Sequence, residues 1–305
     1  MAIVLGLDAG GSKTVAAIAD ESGRILQRWA GPGFDPIARA HWASDLTAAV
    51  ATLCGAEAPA AAAIGLPFHG EVPAITEAQL QAAKTVISAP HLVLNDVEIA
   101  YDGAFLGSEG VLILAGTGSM AWAKIRGEST RVGGWGEAFG DEGSAYWIGR
   151  EALSLASQSL DGRISAPSLA KAILDACGVG PQHLIDWAYT QQGARAAYAA
   201  LAETVSKAAN AGDRDAVGVL TAAAAHLARH ADAVRRKFAR PTLAWSHAGS
   251  VFRSPTILQE TARLLGQPQR PILSPLGGAL WRAAGLAGWE ADNRFIQSLA
   301  TSLQQ

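Results

Sequence analysis

The 305-residue chain is half apolar, 17% charged and carries a formal net charge of -3. This composition supports large buried cores and excludes global disorder. The slightly acidic balance argues against nucleic-acid and anionic-membrane partners, which require a basic face. The two cysteines, Cys54 and Cys177, have no CxxC or Cys/His spacing. They read as small buried hydrophobes and not as a disulfide framework or metal site. No signal-peptide pattern and no apolar run near the ~20 residues of a spanning helix is present, so the expectation is a cytoplasmic protein of about two domains.

Ala2 to Leu7 reads as a strand buried on both faces that delivers Asp8 at its carboxyl end. Gly10-Gly11-Ser12-Lys13-Thr14 turns the chain, Val15 to Ala19 is a second strand, and Arg24 to Trp29 a third. A glycine loop between two strands differs from a P-loop or dinucleotide fingerprint, where it opens a helix, and this decides against a Rossmann fold. Gly31-Pro32-Gly33-Phe34-Asp35-Pro36 is a loop by composition. A helix follows with Trp42, Leu46, Val50 and Leu53 on one stripe. Ala60 to Leu66 is a strand ending in Pro67-Phe68-His69-Gly70-Glu71, Glu77 to Val86 is helical, and the strand His91 to Leu94 carries Asn95-Asp96 at its end.

The segment Gly110 to Ala145 is the most informative. Val111 to Leu114 is a buried strand ending in Gly116-Thr117-Gly118-Ser119; a hairpin follows, then Gly133-Gly134-Trp135-Gly136 and the acidic turn Gly140-Asp141-Glu142-Gly143. Loop glycines after a buried strand let main-chain N–H groups approach a ligand, and the pattern suits a phosphate-bearing small molecule. Helices are expected over 144–157, 168–177, 182–189, 195–211 and 215–238. A strand over 242–246 leads to Gly249-Ser250, and further helices cover 254–265, 277–287 and 292–303. Strands that alternate with helices and end in polar or glycine residues indicate an α/β sheet with its site at the strand ends.

The order of these pieces resembles the actin/Hsp70/sugar-kinase superfamily of ATPases. Within it, the run from Gly133 to Trp147 is similar to the amino-sugar kinase motif of the N-acetylglucosamine/glucosamine kinase branch of the BadF/BadG/BcrA/BcrD ATPase family. The resemblance covers nearly the whole chain, although residues 150–240 carry it only as a helical pattern. It implies two RNase-H-like (actin-like ATPase) α/β domains with an interdomain cleft: residues 1–109 with a C-terminal helix 288–305, and residues 110–287 with a helical insertion. The implied activity is ATP-dependent phosphorylation of N-acetylglucosamine or glucosamine at O6, with Mg²⁺.

Carried over by position, Asp8 would hold Mg²⁺ through water. Gly10, Gly11, Ser12, Lys13 and Thr14 would form the first phosphate loop and Gly116, Thr117, Gly118 and Ser119 the second, with the adenosine on Gly249 and Ser250. The side chains of Lys13 and Lys124 read as solvated charges and not as phosphate ligands. Asp96 falls where the family keeps its catalytic base, which the chemistry requires because a sugar hydroxyl must lose its proton as it attacks phosphorus. Sugar contacts would come from Asp35, Gly70, Asn95, Asp96, Gly134, Trp135, Gly136 and Asp141. Two plainer readings stay open: Asp141 or Glu142 capping the following helix, and Trp135 as a core residue.

One departure bears on the substrate. The family's first loop carries an Asn in a Gly-Pro-x-Asn-Pro-like pattern, whereas this chain has Phe34-Asp35-Pro36, one residue longer. Asp35 would pair with a free 2-ammonium or accept sugar hydroxyls, so acetylated and free amino sugars are not separated; His69 and Glu71 are further contacts to consider. A homodimer follows from family analogy alone. Two alternatives share the fold. An iron–sulfur redox-activator ATPase needs cluster cysteines, and none lies by Gly116-Thr117-Gly118-Ser119. A non-catalytic sugar sensor would lack the base that Asp96 supplies.

Overall fold

The computed structural model describes residues 1–11, 13–55 and 57–304. The chain divides into two units, Met1–Ser108 with Arg270–Gln305, and Glu109–Gln269. The first unit begins with β1 (Ile3–Ala9), β2 (Lys13–Asp20), β3 (Ile25–Pro32), α1 (Trp42–Cys54), β4 (Ala61–Leu66), α2 (Pro73–Val86), β5 (His91–Asn95) and α3 (Asp96–Phe105). Its sheet order is β3-β2-β1-β4-β5, antiparallel across β1–β2–β3 and parallel across β1–β4–β5. The two-residue period of a strand then assigns faces. Ile3, Leu5, Leu7 and Ala9 meet α1 residues Leu46 and Val50 in one core, while Val4 belongs to a second core with Ile99 of α3. Asp8 has the parity of Val4 and therefore stands on the α3 face.

The second unit contains β6 (Gly110–Ala115), β7 (Ser119–Ile125), β8 (Glu128–Gly133), α4 (Ala145–Leu160), α5 (Pro167–Cys177), α6 (Leu184–Thr190), α7 (Ala194–Asn210), α8 (Arg214–Lys237), β9 (Trp245–Ala248) and α9 (Pro255–Leu265). Its order β8-β7-β6-β9 repeats the first sheet less one strand, with an antiparallel meander on one side of β6 and a parallel neighbour on the other. One core joins β6 and β7 to α4, α5, α7, α8 and α9. Within α8, Asp213 caps the first turn by accepting from Ala216 N, and Arg235, Arg236 and Lys237 complement the carbonyl end.

The chain returns to the first unit with α10 (Pro275–Leu286) and α11 (Asn293–Gln304). The return falls at Arg270 and not at the expected 288, because Leu273, Leu276 and Leu280 share a core with Val4 and Ile99. Sequence pattern also missed α3, a short helix of mixed residues, and started α2 at Glu77 instead of Pro73. Asn95 starts α3 by accepting from Val97 N, and Asp96 and Glu98 favour its amino end. Among the described residues no helix is long and apolar enough to cross a membrane.

Helices α3 and α10 cross at glycines. A Cβ on Gly278 would stand 2.1 Å from the Ile99 carbonyl oxygen and 2.5 Å from Gly103 N, and one on Gly103 would stand 2.5 Å from the Ser274 carbonyl oxygen. This crossing seats α3, and with it Asp96, on the sheet. Gly278→Ala is expected to destabilise by about 1–3 kcal/mol, the usual cost of overpacking. Gly285→Ala in the same helix, where a Cβ meets nothing within 4 Å, should be neutral or stabilising by up to about 1 kcal/mol. Urea unfolding midpoints of the two variants check the contrast.

Candidate active site

Asp8 near the end of β1 and Asp96, just after β5, lie at the carboxyl ends of two parallel strands that flank β4. Asp8 of β1 pairs with Gly65 of β4. A Cβ on Gly65 would come within 2.3 Å of the Ile99 side chain and 3.4 Å of the Asp96 Cα, so the absence of a side chain there lets α3 close on β4. Burial pushes the Asp8 carboxyl up to about 7, partly offset by Lys13. Burial does the same to Asp96, also to about 7, and the negative charges of Asp8 and Glu71 add to it. The amides of Val97 and Asp96 at the start of α3 act in the opposite sense.

Around this pair the loop after β4 is held rigidly. Buried Gln79 donates to the Pro67 carbonyl and meets His69 Nδ1 through its Oε1 at 2.9 Å. The buried Asn95 amide donates to the His69 carbonyl at 2.9 Å and to Glu71 Oε1 at 3.0 Å, while its own oxygen accepts from Val97 N. Asn95 is thereby a brace between this loop and α3. His69 likewise has a partner inside the loop, and Gly70 donates to Thr76 Oγ1. In the first glycine loop, Gly10 N donates to the Lys13 carbonyl. Lys13 is exposed, Thr14 is a buried strand residue paired with Ala9, and Ser12 lies outside the described residues. Gly33 packs against the Gly10 and Gly11 carbonyls, which brings Asp35 beside this turn with its Oδ2 3.7 Å from a Cβ built on Gly11. Its other oxygen accepts from Ile37 N and Ala38 N, so Asp35 also builds its own loop.

In the second unit, β6 ends at the second glycine loop, closed by Gly116 N to the Gly118 carbonyl at 2.9 Å. Thr117 is exposed, but Ser119 is buried, and its hydroxyl donates to the Glu142 carbonyl at 2.8 Å. The motif at β9 adjoins this loop: Gly249 has φ +98, and a Cβ there would stand 2.2 Å from the Ala115 carbonyl oxygen. Ser250 opens a short 3-10 helix and lines a pocket of about 490 Å³ together with Ala145, Ile148, Ala202, Val251 and Ile257. The Glu203–Lys207 ion pair borders the same pocket.

The Gly133–Gly136 turn presents Trp135, 68% exposed and therefore no core residue, with the Arg131 guanidinium 5.5 Å from its ring centre. Arg131 also donates to the Gly134 carbonyl at 2.7 Å. Gly136 anchors the acidic turn by accepting from Gly140 N. Asp141 is not the helix cap, because Ser144 fills that position by accepting from Trp147 N. Instead the Asp141 carboxylate is buried, 2.7 Å from Arg195 Nη2, and accepts from Ser119 N at 3.3 Å. Arg195 had no signal in the sequence: it lies 54 residues from Asp141 in an Ala-rich helix.

Among the described residues no group of three or more His, Cys, Asp or Glu side chains is arranged to hold a metal ion. The donor set at Asp8 instead suits an ion that keeps most of its water and binds through one carboxylate and substrate phosphates, as Mg²⁺ does. The glycine turn after β1 and that after β6 are each of a kind that can receive a phosphate oxygen through main-chain N–H groups.

Sheets of this order, with helices on their faces and turns of this kind at their strand ends, make up the actin-like fold, which the chain shares with a ROK sugar kinase. Residues 5–273 match the BadF/BadG/BcrA/BcrD ATPase family, and the chain belongs to it. It is 31% identical over 208 residues to the N-acetylmuramic acid/N-acetylglucosamine kinase of Clostridium acetobutylicum, covering 66% of this chain and 68% of that protein. It is also 34% identical over 105 residues to the N-acetyl-D-glucosamine kinase of Dictyostelium discoideum, 33% of each chain. Among solved structures it is similar to a Chromobacterium violaceum protein proposed to be an N-acetylglucosamine kinase (TM-score 0.76, 26% identity, 94% of this chain and 99% of that one). A ROK family glucokinase of Streptomyces griseus shares the fold (TM-score 0.58, 18% identity, 92% and 98%).

The raised carboxyls make a stability prediction. An acid whose pKa is higher folded than unfolded loses stability as pH rises from its unfolded value, near 4, to its folded value, about 7 for Asp8, and is level above that. In metal-free buffer, Asp8→Asn should therefore gain melting temperature over the unsubstituted chain on going from pH 5 to pH 8. The gain should be a few degrees, at ~2–4 °C per kcal/mol for a chain of this size class. Melting curves at the two pH values check it.

Proposed function

We propose that this chain is an ATP-dependent amino-sugar kinase that transfers the γ-phosphoryl group to O6 of N-acetylglucosamine or glucosamine, with Asp96 as general base. The observation that carries the reading is Asp96 itself: a strand-end carboxylate beside Asp8 with its pKa near 7, matched to proton transfer at neutral pH. Membership of an ATPase family and similarity to the two N-acetylglucosamine kinases support the activity.

In this reading the Asp96 carboxylate accepts the O6 proton as that oxygen attacks the γ-phosphorus; the bond from phosphorus to the ADP oxygen breaks, and ADP leaves. Main-chain N–H groups of the turns at Gly10–Gly11 and Gly116–Gly118, apart from those of Gly10 and Gly116 that close the turns, hold phosphate, and the pocket by Ser250 takes the nucleoside. Trp135 and the Gly134 and Gly136 backbone face the sugar ring, with Asp141 and Asp35 as candidate hydroxyl or ammonium acceptors. Mg²⁺, when bound, neutralises phosphate charge, and Asp8 is the residue that would hold it. A cytoplasmic homodimer is the matching assembly and setting, proposed on family likeness alone.

Asp96→Asn should lower kcat by ~10²–10⁴ while the affinity for an ATP analogue changes little; undiminished turnover would remove the base. A coupled ADP-release assay with glucosamine, N-acetylglucosamine, N-acetylmannosamine, N-acetylmuramate and glucose tests the acceptor. If none stimulates ADP formation, the kinase reading fails.

A further inference from the structure

We infer that Arg195 is the positioning residue for the acceptor: one guanidinium grips both ends of the turn from Glu137 to Asp141 and fixes the Asp141 carboxylate. The inference rests on the proposed role of that turn in binding the sugar. Asp141 combines two conditions a lone carboxylate does not tolerate well. It is 2% exposed, and its backbone has φ +57, a region that residues other than glycine seldom occupy. A buried carboxylate requires paired and hydrogen-bonded oxygens, and here Arg195 Nη2 at 2.7 Å and Ser119 N at 3.3 Å supply them. Arg195 Nε stands 3.2 Å from Glu137 Oε2, an ion pair without hydrogen-bond geometry at the other end of the same turn. A guanidinium fork spans two carboxylates in this way, whereas an ammonium is a single point of charge.

The second glycine loop has supports besides this grip. Ser119 Oγ to the Glu142 carbonyl at 2.8 Å, Ala145 N to the Gly116 carbonyl at 2.8 Å and Tyr146 N to the Thr117 carbonyl at 3.3 Å all tie the loop to the start of α4 without Arg195. The turn has fewer supports of its own, Gly140 N to Gly136 and Ser144 N to Asp141. Arg195 is in turn held from α7: Tyr198, one turn along, stacks on Tyr146 of α4 with ring centres 5.8 Å apart. The Arg195–Asp141 pair also packs directly over Gly118, where a Cβ would meet Nη2 at 2.8 Å and Oδ2 at 2.9 Å. Loss of Arg195 is therefore expected to loosen the acceptor turn and to spare the nucleotide loop.

The test is steady-state kinetics and nucleotide binding on the full chain, using whichever acceptor sugar the ADP-release assay identifies. Arg195→Met should raise the acceptor KM at least about tenfold, a change worth ~1.4 kcal/mol, with the Kd of an ATP analogue measured without sugar close to that of the unsubstituted chain. Arg195→Lys should restore part of the loss, since it keeps one contact to Asp141. An unchanged acceptor KM in Arg195→Met, or a fall in kcat and melting temperature with both KM values unmoved, would overturn the inference. If Arg195→Met does not fold, Arg195→Lys carries the test: a raised acceptor KM at near-normal melting temperature supports the role, and an unaltered KM overturns it. Asp141→Asn separates the two readings. Should it leave the acceptor KM unchanged, the turn is not an acceptor site; should it raise that KM while Arg195→Met does not, only the role of Arg195 is lost.

Discussion

Two carboxyls share one poorly hydrated corner of the first unit, and the surrounding fold is built around tolerating their burial. Asp8 and Asp96 each carry a carboxyl raised to about 7, and each owes most of the rise to burial. Left to relax, such a pair would separate or admit water. It is kept together by the parallel pairing of β1 with β4 and β4 with β5, and by a helix crossing so close that only glycine fits at its centre. The cores on both faces of the sheet supply the stability that the acids withdraw. Burial of these acids and stability are thus opposed at one spot.

The second unit uses the same strand topology for different electrostatics. At the end of β6 the chain offers backbone and not carboxylate: a glycine loop closed on itself, with Gly249 of the neighbouring segment pressed against Ala115. Fixed amide dipoles there need no ionisation and so carry no dependence on the pH of the medium in this range. Two polar side chains near the loop face inward, the Ser119 hydroxyl serving the Glu142 carbonyl and Ser144 capping α4, while Thr117 is exposed.

The sequence displayed what depends on local pattern. Buried strands showed as short apolar runs, the long helices as periodic stripes, and the glycine turns as clusters no helix or strand would keep. What it hid depends on contact across the chain. Helix α3 was invisible because its ten residues mix apolar, acidic and glycine positions, and only the Asn95 cap and the fit against α10 make it a helix. The return at Arg270 was hidden for the same reason, since Leu273 and Leu276 are apolar wherever they pack. Asn95, expected as a sugar contact, has its amide bonded to His69 and Glu71, partners that its position in the sequence does not announce. The partner of Asp141 could not be found by any spacing rule, because a guanidinium in an Ala-rich helix looks like a solvated charge.

That hidden pair has an electrostatic consequence. A buried carboxylate with no cation beside it is costly, because a charge taken out of water needs a partner. Arg195 removes that penalty while leaving Asp141 in place to accept hydrogen bonds. The same ion pair explains why position 118 is glycine despite its negative φ: the side chains of Asp141 and Arg195 fill the volume a Cβ would take. The second unit can therefore hold an acid against its glycine loop because that acid is neutralised. In the first unit Lys13 offsets burial at Asp8 but does not overcome it.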